Sequence, residues 1–337
     1  MHTRLGPLAI LAASALLLAG CASGGDNTSK SPSDGASAAT AGASAAAQAC
    51  LPVPGDSLVV LTDDSTLQNS DNVIPAINAQ SASDVSLLAA LDAVSEALDT
   101  PTLIKLNKAV DIDRKTSSEV AAAFVADAGI VAPFSGSGSI TVGAANFSEN
   151  ITVAEIYAAV LRNAGFDASV RTIGNRETYM PALVSGEIDV VPEYAATAAE
   201  YLNHALNGAD AAPVASGDIA VTYKALSALG NQSGIIFGKA SAAQDQNAFA
   251  VTTAFAEKYG VTSLSELAAK CGGGVSLGGP PECPERTFCQ LGLEKVYGIN
   301  VTDFLSLDAG GPLTKTAIRQ GDVAVGLVFS SDGELAA

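Results

Sequence analysis

Residues 140–173 read ITVGAANFSENITVAEIYAAVLRNAGFDASVRTI, and this stretch decides the fold class. Ile140-Thr141-Val142 is a β-branched run suited to a strand. Ile151, Ala154, Tyr157, Leu161 and Ala164 then recur at three- and four-residue spacing, which puts them on one face of a helix over 151–164. Residues 168–173 return to a strand pattern. Strand, amphipathic helix and strand in succession is the signature of an α/β fold with a largely parallel sheet.

The alternation continues outward. Leu58-Val59-Val60-Leu61 reads as a buried strand, and 188–191, 248–251, 274–277 and 323–329 are further strand candidates. Residues 85–98 have a helical pattern. Thr100-Pro101 supplies an N-cap with Pro at the first helical position, and Thr116-Ser117-Ser118-Glu119 is a capping box opening a helix through Val125. Ser263-Leu264-Ser265-Glu266 opens another. Residues 133–139, PFSGSGS, read as a linker. An internal echo is also present: ALVSGEIDV at 182–190 matches AIRQGDVAV at 317–325. Each is a helix end, a Gly C-cap, an acidic residue and a strand, which suggests two similar lobes.

Composition narrows the function. The 337 residues predict about two globular units. A formal net charge of −18 repels phosphate backbones, which excludes nucleic acid as a partner. Of two His, His2 lies in the leader, so only His204 is left as a base and no His pair exists to ligate zinc. No metal or cofactor is expected. The sequence holds no nucleophile elbow, and Gly238-Lys239 is not a phosphate loop because Ser233 stands where the first Gly belongs. An enzyme is therefore not expected, and Lys239 reads as a solvated charge.

Residues 1–20 read as a secretory signal: Arg4, an apolar run over 8–18, then small residues. The run is too short to span a bilayer. Leu18-Ala19-Gly20-Cys21 resembles the bacterial lipobox, which implies cleavage before Cys21 and a diacylglycerol on its thiol; an ordinary signal with a chance Cys is the competing reading. The Ser-, Ala- and Gly-rich stretch within 21–49 cannot bury enough apolar surface to fold, and reads as a flexible tether. A lipid-anchored, extracytoplasmic body on the outer face of a bacterial cytoplasmic membrane follows. Lipidation leaves Cys50, Cys271, Cys283 and Cys289, which allow three disulfide connectivities. The short, turn-like 283–289 segment favours Cys283 with Cys289, leaving Cys50 with Cys271; a zinc site is the competitor, with the wrong spacing.

Several motifs then converge on one family. Ile140-Thr141-Val142-Gly143-Ala144-Ala145-Asn146-Phe147-Ser148-Glu149, Ala154-Glu155-Ile156-Tyr157, Gly174-Asn175-Arg176-Glu177-Thr178-Tyr179 and Pro192-Glu193-Tyr194 resemble the glycine betaine/choline/carnitine substrate-binding proteins of ABC importers. Leu277-Gly278-Gly279-Pro280-Pro281-Glu282, Gly292-Leu293-Glu294-Lys295-Val296-Tyr297-Gly298 and Leu307-Asp308-Ala309-Gly310-Gly311-Pro312-Leu313 resemble its second half. The resemblance implies a periplasmic-binding-protein-like (type II) fold, two α/β lobes closing on a ligand in the cleft between them, with hinges near 248–251 and 325–329. The order of the pieces differs. A segment like 325–333 runs on in the family into one like 58–64 and 72–75, whereas here the closing block stands at the N-terminus. A circular permutation is implied, joined by a linker at 131–139. Lobe one then comprises 51–130 and 140–245, lobe two 246–329, and 330–337 returns to lobe one. Ala337 should neighbour Ser57.

The same resemblance implies part of the site, and local position in the chain suggests the rest. Tyr194 occupies the family's aromatic position and Thr197 its Thr; a core Tyr with a satisfied hydroxyl is the alternative for Tyr194. Asn146 and Asn150 flank a helix N-terminus suited to an anionic group, although Asn146 with Glu149 would also form a local cap. Asn150 falls where relatives carry Gln, which makes it the better ligand candidate. Asn247 stands where betaine binders carry Tyr, which weakens the expectation of a full aromatic cage. Arg286 could grip a ligand carboxylate or lie exposed. Phe329, Asp332 and Asp308 face the cleft or cap turns. The function implied is capture of glycine betaine, choline or a related quaternary amine by a monomer that delivers it to an ABC permease. The alternatives are another zwitterion, such as proline or ectoine, or a sensor lipoprotein that presents its ligand to a receptor.

Overall fold

The computed structural model describes residues 48–335; the segments read as a signal and, to residue 47, as a tether, the expected lipidation site Cys21, and Ala337 with its expected neighbour contact to Ser57 lie outside the described residues. Ten strands run in chain order: β1 Leu58–Leu61, β2 Val73–Asn78, β3 Ser139–Ala145, β4 Asp167–Gly174, β5 Val190–Tyr194, β6 Ile235–Phe237, β7 Asn247–Thr252, β8 Val275–Gly279, β9 Val301–Ser306 and β10 Val325–Phe329. They form two five-stranded sheets, ordered β4-β3-β5-β2-β6 and β1-β7-β10-β8-β9, within one compact unit.

Both sheets are mixed, which corrects the expectation of largely parallel ones. β3 runs parallel to β4 and β5, and β8 to β9 and β10, each brought back by a crossover helix. β2 is antiparallel to β5 and β6, and β7 to β10 and β1. β2 and β7 are the strands that enter from the other lobe. They need no local crossover, so nothing forces them into parallel alignment.

Each sheet is covered on both faces. In the first lobe, helices Val85–Ala97, Ser117–Asp127 and Ser148–Ala164 bury Leu87, Leu91, Val120, Ile156 and Leu161 against one face. Helices Arg176–Ser185, Ala195–Asn207 and Ile219–Ser233 cover the other. The second lobe is sealed by helices Thr253–Tyr259 and Leu264–Lys270 on one side and Pro312–Gln320 on the other. The capping box at Thr116 and Glu119 forms with both of its bonds. Helix Thr100–Asn107 is capped instead by Asp99, whose carboxylate accepts from the Thr102 amide at 2.9 Å, so Thr100 already lies inside the helix.

The repeated motif is a repeated structure. Helix Arg176–Ser185 ends at Gly186 (φ 77°), with the Gly186 amide donating to Leu183 and the Glu187 amide to Ala182. Helix Pro312–Gln320 ends at Gly321 (φ 78°), with Gly321 donating to Ile318 and Asp322 to Ala317. Both are Schellman caps, and each turns the chain into a strand that ends at the cleft.

Lobe boundaries differ from those expected. β1 pairs with β7, and Leu61 and Leu67 pack with Phe249, Val251 and Leu277, so the N-terminal block belongs to the second lobe through residue 67. Strands β7 and β10, expected as hinges, are paired with each other inside that lobe's sheet. The chain crosses between lobes at 68–72 and 245–247. The segment after β10 does not simply return to lobe one: Gly333 sits on Asn107 and Lys108, while Leu335 packs on the cluster of Leu58, Ala250 and Ile318. Cys50 is bonded to Cys271 and Cys283 to Cys289. Among the described residues no helix is long and apolar enough to cross a membrane.

Candidate functional site

A cleft of about 670 Å³ opens between the sheets at the carboxyl ends of β3, β4 and β5, where α/β sheets place their ligands. The turn after β3 builds one wall. Asn150 is wholly buried; its Oδ1 accepts from the Ala145 amide at 2.8 Å and its Nδ2 donates to the Pro192 carbonyl at 2.9 Å. This latch fixes β3 to β5 and sets the Phe147 ring 6.1 Å from the Tyr194 ring at an interplanar angle of 27°. Tyr194 is 6% exposed and donates its hydroxyl to Glu149 at 2.7 Å. The second lobe contributes Phe329, at the end of β10, and Phe288, carried on the disulfide-closed loop. The Phe288 carbonyl accepts from the Gln68 side chain at 3.0 Å, which ties this loop to the first crossing.

The polar groups of the cleft are mostly engaged with one another. Arg176 donates to both oxygens of the buried Glu193 (2.9 and 2.8 Å) and to the Thr197 hydroxyl at 2.9 Å. The Tyr179 hydroxyl donates to Glu193 at 2.8 Å. Burial works against the guanidinium's charge, but Glu193 beside it holds its pKa above the ordinary value. Asp71, on the first crossing, caps helix Ala195–Asn207 by accepting from the Ala196 and Thr197 amides at 2.9 and 3.0 Å. Burial nevertheless pushes its carboxyl up to about 6. Burial also raises Asp245 on the second crossing, with Asp71 and Asp332 adding to the shift. The cleft is thus a ring-lined basin with carboxylates on both crossings. Its lining cation, Arg176, is already neutralised by Glu193. No group of three His, Cys, Asp or Glu side chains that could hold a metal ion occurs among the described residues.

Of the residues singled out in the sequence, Asn146, Tyr194, Thr197, Asn247 and Phe329 line this cleft. Three do not. Asn150 is committed to its latch. Arg286 points to solvent 4.0 Å from Glu282 and borders a smaller cavity of about 320 Å³ beside Phe288. Asp332 pairs with Lys315 at 2.7 Å and caps the Glu334 amide. The local cap of Asn146 with Glu149 is not formed either, because the helix starts at Ser148 and Glu149 turns inward. Asp308 caps helix Pro312–Gln320 through the Leu313 and Thr314 amides. Lys239 is an exposed partner of Glu96. Phe147, Arg176 and Tyr179 lay inside the quoted motifs without being assigned a role. Asp71, Asp245 and Phe288 carried no local signal, since loops and crossings bring them in.

The family model for the substrate binding domain of ABC-type glycine betaine transport systems matches residues 47–127 and 138–337. A glycine-betaine-binding protein of Pseudomonas aeruginosa is 28% identical over 207 residues; the match covers 58% of this chain and 63% of that relative, just under two thirds of its length. Unliganded YehZ of Escherichia coli superposes with a TM-score of 0.50 at 27% identity, over 59% of this chain and 72% of that one.

Proposed function

Because the chain belongs to the family of substrate-binding domains of ABC-type glycine betaine transport systems, we propose that it captures a quaternary ammonium solute between its lobes and delivers it to a membrane permease. The observation that carries this reading is the gathering of Phe147, Tyr194, Phe288 and Phe329 around one space with the carboxylates of Asp71 and Asp245. A quaternary ammonium head donates no hydrogen bond. It is held by ring faces and negative charge in a desolvated space, which is what this cleft supplies. Asn247 removes one expected ring, and Phe147 and Phe288 offset it from other elements.

The proposal extends to the cell surface and the chain order. The leader and Cys21 support a lipid-anchored, extracytoplasmic monomer, and the two disulfides suit an oxidising compartment. A circular permutation is supported by a family match that breaks at 128–137, around the Gly- and Ser-rich segment, and by Leu335 packing on Leu58.

Two outcomes test the ligand. A carboxyl whose pKa is raised in the folded protein contributes stability that is present at low pH and lost as pH rises through the folded value. For Asp71 that loss is complete above about 6. A bound cation offsets it by favouring the ionised form. Glycine betaine is therefore expected to raise the melting temperature more at pH 7.5 than at pH 5, read by calorimetric or fluorescence melting. Equal shifts at the two pH values would remove these carboxylates from the site. Replacing Cys283 and Cys289 together by Ser frees the loop that presents Phe288. This should weaken binding about fivefold, the equivalent of one exposed cation–π contact of about 1 kcal/mol. Unchanged affinity would mean that Phe288 does not touch the ligand.

A further inference from the structure

Glu149 is 5% exposed on the first turn of helix Ser148–Ala164, and its partners are uncharged donors. The Tyr194 hydroxyl reaches Oε1 at 2.7 Å and the Asn107 amide reaches Oε2 at 2.6 Å. The same Asn107 amide donates to the Ser331 carbonyl at 2.8 Å, and the Ser331 hydroxyl donates to Asp245 at 2.8 Å. An unbroken chain of hydrogen bonds therefore runs from a ring in the cleft wall to the second crossing. Behind it lies another cavity of about 420 Å³, lined by Asn107, Glu149, Asp245, Lys315, Asp332 and Glu334.

We propose that Glu149 is a positioning residue that holds the Tyr194 ring for the ligand and, through Asn107 and Ser331, ties that ring to the junction between the lobes. This rests on the cleft being the seat of the quaternary ammonium ligand. Asn107 is the bistable element: its Oδ1 is buried without a partner while its Nδ2 serves both Glu149 and Ser331. An ionised Glu149 only accepts. Once protonated, it presents a hydroxyl that the Asn107 oxygen can accept after the amide turns over, and that turn breaks the bond to Ser331. Burial favours the protonated form and Asp245 adds to it. The other charges around the cavity do not supply a counter-ion. Lys315 is held by Asp332 and Glu334 at 2.7 and 2.8 Å, and Asp111 and Arg114 stand exposed at the rim.

The test is a pair of spin labels, one on each lobe at Val184→Cys and Val296→Cys, both exposed positions. Interlobe distances and the Kd for glycine betaine are followed from pH 5 to pH 8. In the otherwise unaltered protein the distance distribution of the ligand-free form should change with pH, and affinity should rise with pH. Glu149→Gln, which resembles the protonated acid in shape, should hold the pH 5 distribution throughout. It should bind about tenfold more weakly at pH 8 and little differently at pH 5. Tyr194→Phe cuts the chain at the ring alone and should keep the pH response of the lobes. A Glu149→Gln protein with unaltered distances and an unaltered pH profile would overturn the proposal. If the lobes respond as expected and glycine betaine does not bind, the ligand reading fails while the role of Glu149 at the junction stands.

Discussion

Tyr194→Ala is expected to weaken binding of a quaternary ammonium ligand by more than tenfold, a loss of at least about 1.4 kcal/mol. Tyr194 ends β5 at the cleft, stacks beside Phe147 and is nearly enclosed, so its ring face is one of the driest in the site. A cation over a desolvated ring gains about 2 kcal/mol, more than over an exposed one. Removing a large buried ring also costs the fold about 3 kcal/mol, and it leaves Glu149 without its Tyr donor. Tyr194→Phe separates these effects because it keeps the ring and loses only the hydroxyl. Calorimetry on the two variants should show the Phe protein losing only the share of affinity that the Glu149 contact to the hydroxyl supplies, and the Ala protein losing that of the ring as well. Equal affinity of Tyr194→Ala and the unaltered protein would take Tyr194 out of the site.

The largest effect on stability is expected at Arg176. Glu193 is wholly buried and takes both arms of the guanidinium, with Tyr179 as a further donor. Arg176→Ala strands that carboxylate, and removing one partner of a buried pair costs about 3–5 kcal/mol. Replacing both, as Arg176→Met with Glu193→Leu, removes the stranded charge and should recover most of the loss. Denaturant unfolding of the single and double variants gives the comparison. A single variant no less stable than the double one would show that water, rather than Arg176, compensates Glu193.

Local chemistry made much of this fold legible. The capping box at Thr116 needs only residues three apart, and the caps at Gly186 and Gly321 need only a helix end followed by a Gly, so both appear in the sequence as they do in space. Long-range pairing was not legible. β2 contains Pro75, which argues against a central strand, yet it sits between β5 and β6 with Pro192 opposite Pro75. β9 is largely exposed and has no apolar alternation to announce it, and β6 is only three residues long. β1 looked like a strand, but nothing within its four residues says which sheet it joins. The same limit shaped the site. An Asn at a helix start reads as a ligand contact or a latch with equal ease, and Asn150 is the latch. Arg176 lies in a family-like stretch and Arg286 in the loop between Cys283 and Cys289, and either could face a ligand; only the fold sends Arg286 to solvent and Arg176 to Glu193. Phe288 enters the cleft because a disulfide closes its loop, a tertiary consequence of two Cys.

Calorimetric titration of the protein with glycine betaine, choline, carnitine, ectoine and proline tests the central claim most directly. Saturable binding of at least one quaternary ammonium compound, weakened by Tyr194→Ala, is the expected result. Binding of proline or ectoine alone, or of none of the five, would contradict the account.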